Sequence, residues 1–450
     1  MLMKREIYKD LLKWKNSKSR KPLLLQGVRQ CGKTYILKEF GMENYEDVAY
    51  FTFEDDPDLY ETFQKDLDPK RILDYLSFAR NKKIEPGKTL IILDEIQLCN
   101  RALTSLKFFC ESAPEYHLAC AGSLLGVMLS KPGSFPVGKV RRLRMFPMTF
   151  KEFLLANSAD LLVEHMETSD PTETLPKTLI NDLNTYLDYF FITGGMPAAV
   201  ASWVAERDVE EVDQILGEIV RDYADDFSKH APDHLPKLTL IWNSIPIQLA
   251  RENKKFVFGH AKTGARAKDL EDALEWLIDA GLVYKVRRTE TPKVPMAMHA
   301  DNANFKIYMA DIGILRKMAK MPSDFIFSRD TEYDDFRGAM MENYTLNELV
   351  PCIGDVPFYW RSDRGAEVDF VAQIGGMAIP VEAKAGSNKS KSLTEYIRSY
   401  RPKMAVTTTP RKNVSSVVKH IPPYALWRIK GYLAETKAAQ RTAEPSDAPV

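Results

Sequence analysis

Apolar and polar positions divide this chain into three stretches with different periods. From residue 22 to 148, short apolar runs alternate with helical patterns. Pro22–Gln26, Val48–Phe53, Thr89–Leu93, Tyr116–Ala121 and Val140–Met148 read as strands. The run ending in Leu93 is apolar from Leu90 onward, as a central parallel strand covered on both faces requires. Five strands with helices between them predict a doubly wound α/β sheet with its ligand at the C-terminal strand ends.

The middle stretch is helical. Leu179–Ile192 ends at Gly194-Gly195-Met196-Pro197, a turn or hinge, and a second helical pattern covers Val209–Tyr223. Leu270, Ala273, Leu274, Leu277 and Ile278 then keep a three- and four-residue spacing. Gly281 closes that helix, and Leu282–Val286 reads as a strand. Helix, turn, helix, strand is how a winged helix reads. The last stretch, AEVDFVAQIGGMAIPVEAK (366–384), places two alternating runs around Gly375-Gly376, a hairpin preceded by the helical MMENYTLNEL. Beyond Tyr432 the chain is small, polar and aperiodic, which predicts a disordered tail. The expected organisation is a multidomain α/β chain. A doubly wound sheet spans 1–205, a helical, winged-helix-like domain 206–325, an α/β domain 326–432 and the tail 433–450.

Charge does not change this picture. Lysine plus arginine equal aspartate plus glutamate at 62 each, so the net charge favours neither an acidic nor a basic partner. The five cysteines are scattered, with no CxxC pair, which argues against a zinc site and for a reducing compartment. The N-terminus MLMKREIYKDLLKWK is charged throughout and lacks the apolar core of a signal peptide. No run approaches the ~20 apolar residues of a membrane span. A cytoplasmic protein without a membrane partner is expected.

The first strand runs into Gly27-Val28-Arg29-Gln30-Cys31-Gly32-Lys33-Thr34 and then a helix, the G-x-x-x-x-G-K-[ST] pattern in its strand–loop–helix context. Glycines let the loop curl so that its N–H groups face phosphate oxygens. Lys33 reaches the β- and γ-phosphates, and the Thr34 hydroxyl ligates magnesium. Asp94, ending the most apolar strand, is placed to hold that metal, and Glu95 to orient and deprotonate the attacking water. Ser123, at the tip of the Tyr116 strand, is either a contact to the γ-phosphate or water, or a helix cap. Lys139, Arg141, Arg142 and Arg144 are candidates for a cation supplied to a neighbouring subunit, which would imply a homo-oligomer; a solvated strand face is the alternative.

In the middle, Lys254, Lys255, Lys262, Arg266, Lys268, Arg287 and Arg288 are dense enough for phosphate contacts. Asp269, Glu271, Asp272, Glu275 and Asp279 oppose that, so DNA contact and inter-domain packing both remain open. In the hairpin, period-two alternation puts Glu367 and Asp369 on one face, and Glu382 and Lys384 on one face. If those faces coincide, Asp369 and Glu382 can hold one or two magnesium ions, with Glu342 as a further carboxylate, and Lys384 can position water or stabilise charge. A metal-dependent nuclease, a fold that binds DNA, RNA or protein without cleavage, and a buried ion-pair network all fit these residues.

LLLQGVRQCGKT, LIILDEIQ, AGSLLG, FPVGKVRRLRMFPMTFKEFL and ITGGMP, in this order, resemble one group of bacterial and archaeal AAA+ ATPases. Members carry an N-terminal AAA domain and a C-terminal domain of unassigned function related to the PD-(D/E)xK nuclease fold. The resemblance spans about residues 1 to 430. It implies ATP as the ligand and aligns Glu342, Asp369, Glu382 and Lys384 with the nuclease-like site, without establishing cleavage.

Overall fold

The computed structural model describes residues 3–123, 137–169, 175–251, 254–326, 334–383, 391–408 and 417–433. The chain forms two compact units. The first comprises residues 1–148 with 275–282, the second 149–274 with 283–450.

The first unit is built on five parallel strands: β1 (Leu23–Gly27), β2 (Asp47–Thr52), β3 (Thr89–Asp94), β4 (His117–Gly122) and β5 (Arg141–Met145). Each lies within a few residues of its expected position. Their spatial order is β2-β3-β4-β1-β5, so β4 separates β1 from β3. Every residue of β3 is buried. On one face Leu24, Ile91, Leu93 and Leu118 pack in a core with Leu59, Phe63, Ile72, Leu103 and Phe109 from helices Pro57–Lys65, Pro69–Ala79 and Asn100–Ser112. Helix Lys33–Asn44 covers the other face, where the Cα of Gly41 comes so close that a Cβ would sit 2.6 Å from the Val48 side chain. Helices on both faces explain why this strand shows no alternation.

The second unit holds a mixed seven-stranded sheet in the order β12-β11-β10-β9-β8-β6-β7. Its strands are β6 (Val283–Thr289), β7 (Ala300–Met309), β8 (Phe358–Arg361), β9 (Glu367–Ile374), β10 (Met377–Ala383), β11 (Ala405–Thr408) and β12 (Val418–His420). The expected hairpin is present: β9 and β10 pair antiparallel from Ile374↔Met377 to Phe370↔Val381. The strand after Gly281 is also present, but it is not part of a two-stranded wing. β6 pairs antiparallel with β7 and parallel with β8, so residues on both sides of 325 share one sheet. The boundaries expected at 205 and 325 both fall inside the second unit. Local pattern marks where elements begin and end, whereas sheet hydrogen bonds decide which elements share a core.

The tail expectation falls on residues outside those described, apart from Leu433, which is buried. Among the described residues no helix is long and apolar enough to cross a membrane.

Candidate functional site

Two groups of polar side chains are drawn together, one in each unit. In the first, the loop from Gly27 to Thr34 leaves the end of β1 and enters helix Lys33–Asn44. Gly27 is obligatory: a Cβ there would lie 2.4 Å from the Met145 carbonyl oxygen on β5. Gly32 adopts φ 93°, the left-handed conformation that glycine takes without a steric cost. Lys33 is 6% exposed, and its ammonium donates to the carbonyls of Gly27 and Val28 at 2.9 Å each.

Asp94 ends β3 and is 5% exposed. Its Oδ2 accepts from the Thr34 hydroxyl at 2.6 Å and from the Tyr50 phenol at 3.0 Å. Thr34 and Asp94 are thus in contact although 60 residues apart. Burial, then the Asp94 carboxylate, push the Tyr50 phenol up to about 12, so Tyr50 stays a donor at neutral pH. Glu95, half-buried, takes φ 49° and accepts a hydrogen bond on Oε2 from the Gln97 side-chain amide. Ser123 directly follows β4, buried, at the same sheet edge as Gly27 and Asp94.

Of the four candidate cations, Lys139 is paired with Glu111 at 2.8 Å. Arg141, Arg142 and Arg144 lie on the edge strand β5, and the Arg144 guanidinium sits 5.2 Å over the Phe146 ring. Arg5 carried no sequence signal, yet it is 7% exposed and donates to the carbonyl of Cys31, inside the loop, at 2.9 Å and to that of Phe146 at 2.6 Å.

The residues present fit a nucleotide triphosphate with magnesium. A buried ammonium is held by carbonyls alone within a glycine loop. A hydroxyl and a carboxylate, both hard oxygen donors, meet at the loop's end.

In the second unit the hairpin register carries Asp369 and Glu382 to adjacent positions, and the Ala383 N–H donates to Asp369 Oδ2 at 2.8 Å. Glu342, on helix Asp334–Ile353, joins them. Lys384 lies outside the described residues. The alternation of charges was legible, and a buried ion-pair network was one of the expected arrangements: Glu342 and Glu382 are 7% and 5% exposed. Two lysines enter the cluster. Lys254 pairs with Glu342 Oε1, and Lys306, 1% exposed, lies 2.5 Å from Glu367 Oε1 and 4.0 Å from Glu342 Oε2. The Tyr308 hydroxyl donates to Glu342 Oε2 at 3.0 Å.

These groups set one another's charge. Burial pushes the Asp369 carboxyl far above its ordinary range, and the neighbouring Glu342 and Glu382 push it further. Burial opposes charge on Glu342 too, but Lys254 and Lys306 outweigh it and hold it ionised. Burial likewise opposes charge on Lys306, and Glu342, Glu367 and Asp369 more than offset it. Lys254, read as a phosphate contact, is committed to Glu342 instead. Lys306 and Tyr308 went unnoticed, although period two in NFKIYM places both on one face of β7. Among the described residues no group of three or more His, Cys, Asp or Glu is disposed to hold a metal ion.

A five-stranded parallel sheet with a glycine-rich phosphate loop at the end of β1 defines a P-loop nucleotide-binding fold. Residues 19–154 match the family model described as an AAA domain. Residues 184–324 and 337–424 match two models, each described as a domain of unknown function.

No curated protein matches the chain. Among solved structures it is similar to AMPPCP-bound DnaA from Aquifex aeolicus, at 14% identity over 61% of this chain and 86% of that one, with a TM-score of 0.28. It is similar to the Aeropyrum pernix ORC1 protein in complex with DNA, at 15% identity over 72% and 93%, TM-score 0.27. A third is the Thermotoga maritima RuvB Holliday junction branch migration motor, at 17% identity over 64% and 90%, TM-score 0.26.

Proposed function

We propose that this chain is an AAA+ ATPase that binds ATP with magnesium at Gly27–Thr34, hydrolyses it, and uses that cycle to control a second unit that binds a partner. The observation that carries the reading is the 2.6 Å contact between Thr34 and Asp94 beside the buried Lys33. In this reading Lys33 exchanges its two carbonyl partners for phosphate oxygens. Thr34 and Asp94 hold the magnesium, which when bound neutralises phosphate charge. Glu95 orients the attacking water and accepts its proton. Ser123, at the same sheet edge, serves as the contact to phosphate or water. Arg141, Arg142 or Arg144 supplies the cation to a neighbour in a homo-oligomer.

For the second unit, the paired state of its carboxylates favours binding over cleavage. Both oxygens of Glu342 are engaged by Lys254 and Tyr308, and Asp369 Oδ2 by a backbone N–H. So arranged, Glu342, Asp369 and Glu382 do not fit a magnesium ion. The second reading, a nuclease-like site acting on DNA or RNA, is favoured by one observation: three carboxylates crowd closely enough to push Asp369 far up.

The test is turnover and nucleotide binding by two variants. Lys33→Ala should lose tight ATP binding, and Glu95→Gln should keep it and lose hydrolysis. Turnover in both at the parental rate would sink the ATPase reading. A cleavage assay on varied DNA and RNA with magnesium or manganese decides between the readings of the second unit.

A further inference from the structure

Gln97 closes the LIILDEIQ stretch, two residues after Glu95, and its position in the sequence gives it no role. The structure makes it a short 3-10 turn, Ile96–Leu98, that begins on Glu95. Ile96 is wholly buried and Gln97 is 7% exposed, so the amide is held by packing before it meets any partner. Its Nε2 donates to Glu95 Oε2. Its Oε1 is buried and, among the described residues, has no hydrogen-bond partner.

Glu95 is held at its backbone as well. It takes φ 49° and ψ 38°, a left-handed conformation that is unfavourable for a non-glycine residue. Its N–H donates to Asp94 Oδ1 at 3.1 Å, and its carbonyl accepts from Leu98 N at 2.9 Å. The carboxylate beyond that backbone is half-buried, and no lysine or arginine pairs with it among the described residues. A glutamate side chain loses rotamer entropy when fixed, so something must fix it for the base to meet water in one place.

We propose that Gln97 is the positioning residue of the catalytic base. The inference rests on the ATPase reading above and deepens it. The buried amide engages Oε2 through a charge-assisted hydrogen bond, which fixes the carboxylate plane. Oε1 is left to accept the proton of the attacking water. Gln97 touches neither phosphate nor water in this role and acts only through Glu95. A side chain buried merely to fill space needs no amide, and methionine has nearly its shape without the donor.

The experiment compares Gln97→Met and Gln97→Glu with the parent in steady-state ATP turnover, and repeats Gln97→Met in a Glu95→Gln background. Gln97→Met should lower kcat about 10- to 100-fold, the scale of misplacing a reacting group by an ångström, with KM within about threefold. Gln97→Glu, which keeps the length but repels Glu95, should fall at least as far. In the Glu95→Gln background, Gln97→Met should not lower the residual hydrolysis rate, measured in single turnover with enzyme in excess, because the group it positions is gone. Parental kcat in both single variants, or an equal further fall in the Glu95→Gln background, overturns the inference alone. KM rising with the fall in kcat, together with a lower Tm, also overturns it and makes Gln97 a packing residue. Absence of turnover in the parent overturns the ATPase reading along with it.

Discussion

Glu348 shows how much one buried carboxyl sets at the scale of a residue. It is 2% exposed on helix Asp334–Ile353, and its Oε1 accepts from the Phe150 N–H at 2.8 Å. Burial pushes its pKa up from 4.5 to about 8. Below pH 4.5 folded and unfolded chains both hold the proton. As pH rises from there the unfolded chain releases it first, so stability falls, and the contribution is lost by about pH 8, where the native carboxyl also ionises. Glu348→Gln should remove this dependence: parental Tm should drop between pH 5 and 8 by more than that of the variant. Calorimetry across that range checks it, and parallel curves would show that the carboxyl titrates normally. Lys33 and Thr34 stand at the start of helix Lys33–Asn44, where the spacing of the contiguous phosphate-loop motif puts them.

Elements carry two further expectations. Gly27 joins β1 to the phosphate loop against β5, and a methyl group there meets a backbone carbonyl that cannot rotate away. Gly27→Ala should cost about 1–3 kcal/mol and weaken nucleotide binding at least tenfold, measured by denaturant unfolding and by titration with a fluorescent ATP analogue. In the hairpin, two substitutions should diverge. Asp369→Asn replaces a carboxyl that burial and its acidic neighbours push toward the neutral form, so Tm at pH 7 should hold or rise. Lys306→Met leaves Glu342 and Glu367 without their buried cation and should cost about 3–5 kcal/mol. Equal losses in the two would mean that the cluster is not organised around its lysines. The alternation in AEVDFV and PVEAK made the shared face legible in advance. That helix Asp334–Ile353, β7 and Lys254 bury it was not, because a strand's own period carries no record of what packs on it.

For the whole molecule, a cation donated from β5 to a neighbour's nucleotide requires association. ATP should therefore increase the sedimentation coefficient, and turnover per subunit should fall on dilution below the dissociation constant of the assembly. Turnover that stays constant down to fully monomeric protein would remove Arg141, Arg142 and Arg144 from the catalytic account. Neither Asp369→Asn nor Lys306→Met should change the ATPase rate of folded protein, since the phosphate loop and the hairpin belong to different compact units.

By itself the sequence determined the local events: five strands placed to within a few residues, the loop with its lysine and threonine, the acids ending β3, and a hairpin turning on two glycines. Each depends on contacts a few residues apart, where hydrophobic period and turn chemistry decide the outcome. The tertiary structure alone decided the neighbours. It placed β4 between β1 and β3, which brings Thr34 and Asp94 together across 60 residues. It ran β6 and β7 into the sheet of β8–β12, so that strands before and after residue 325 are hydrogen-bonded in one sheet. And it brought Lys254 to Glu342 across 88 residues. Such pairings depend on sheet register and on which surfaces close over one another, and a pattern with a period of two or 3.6 residues encodes neither.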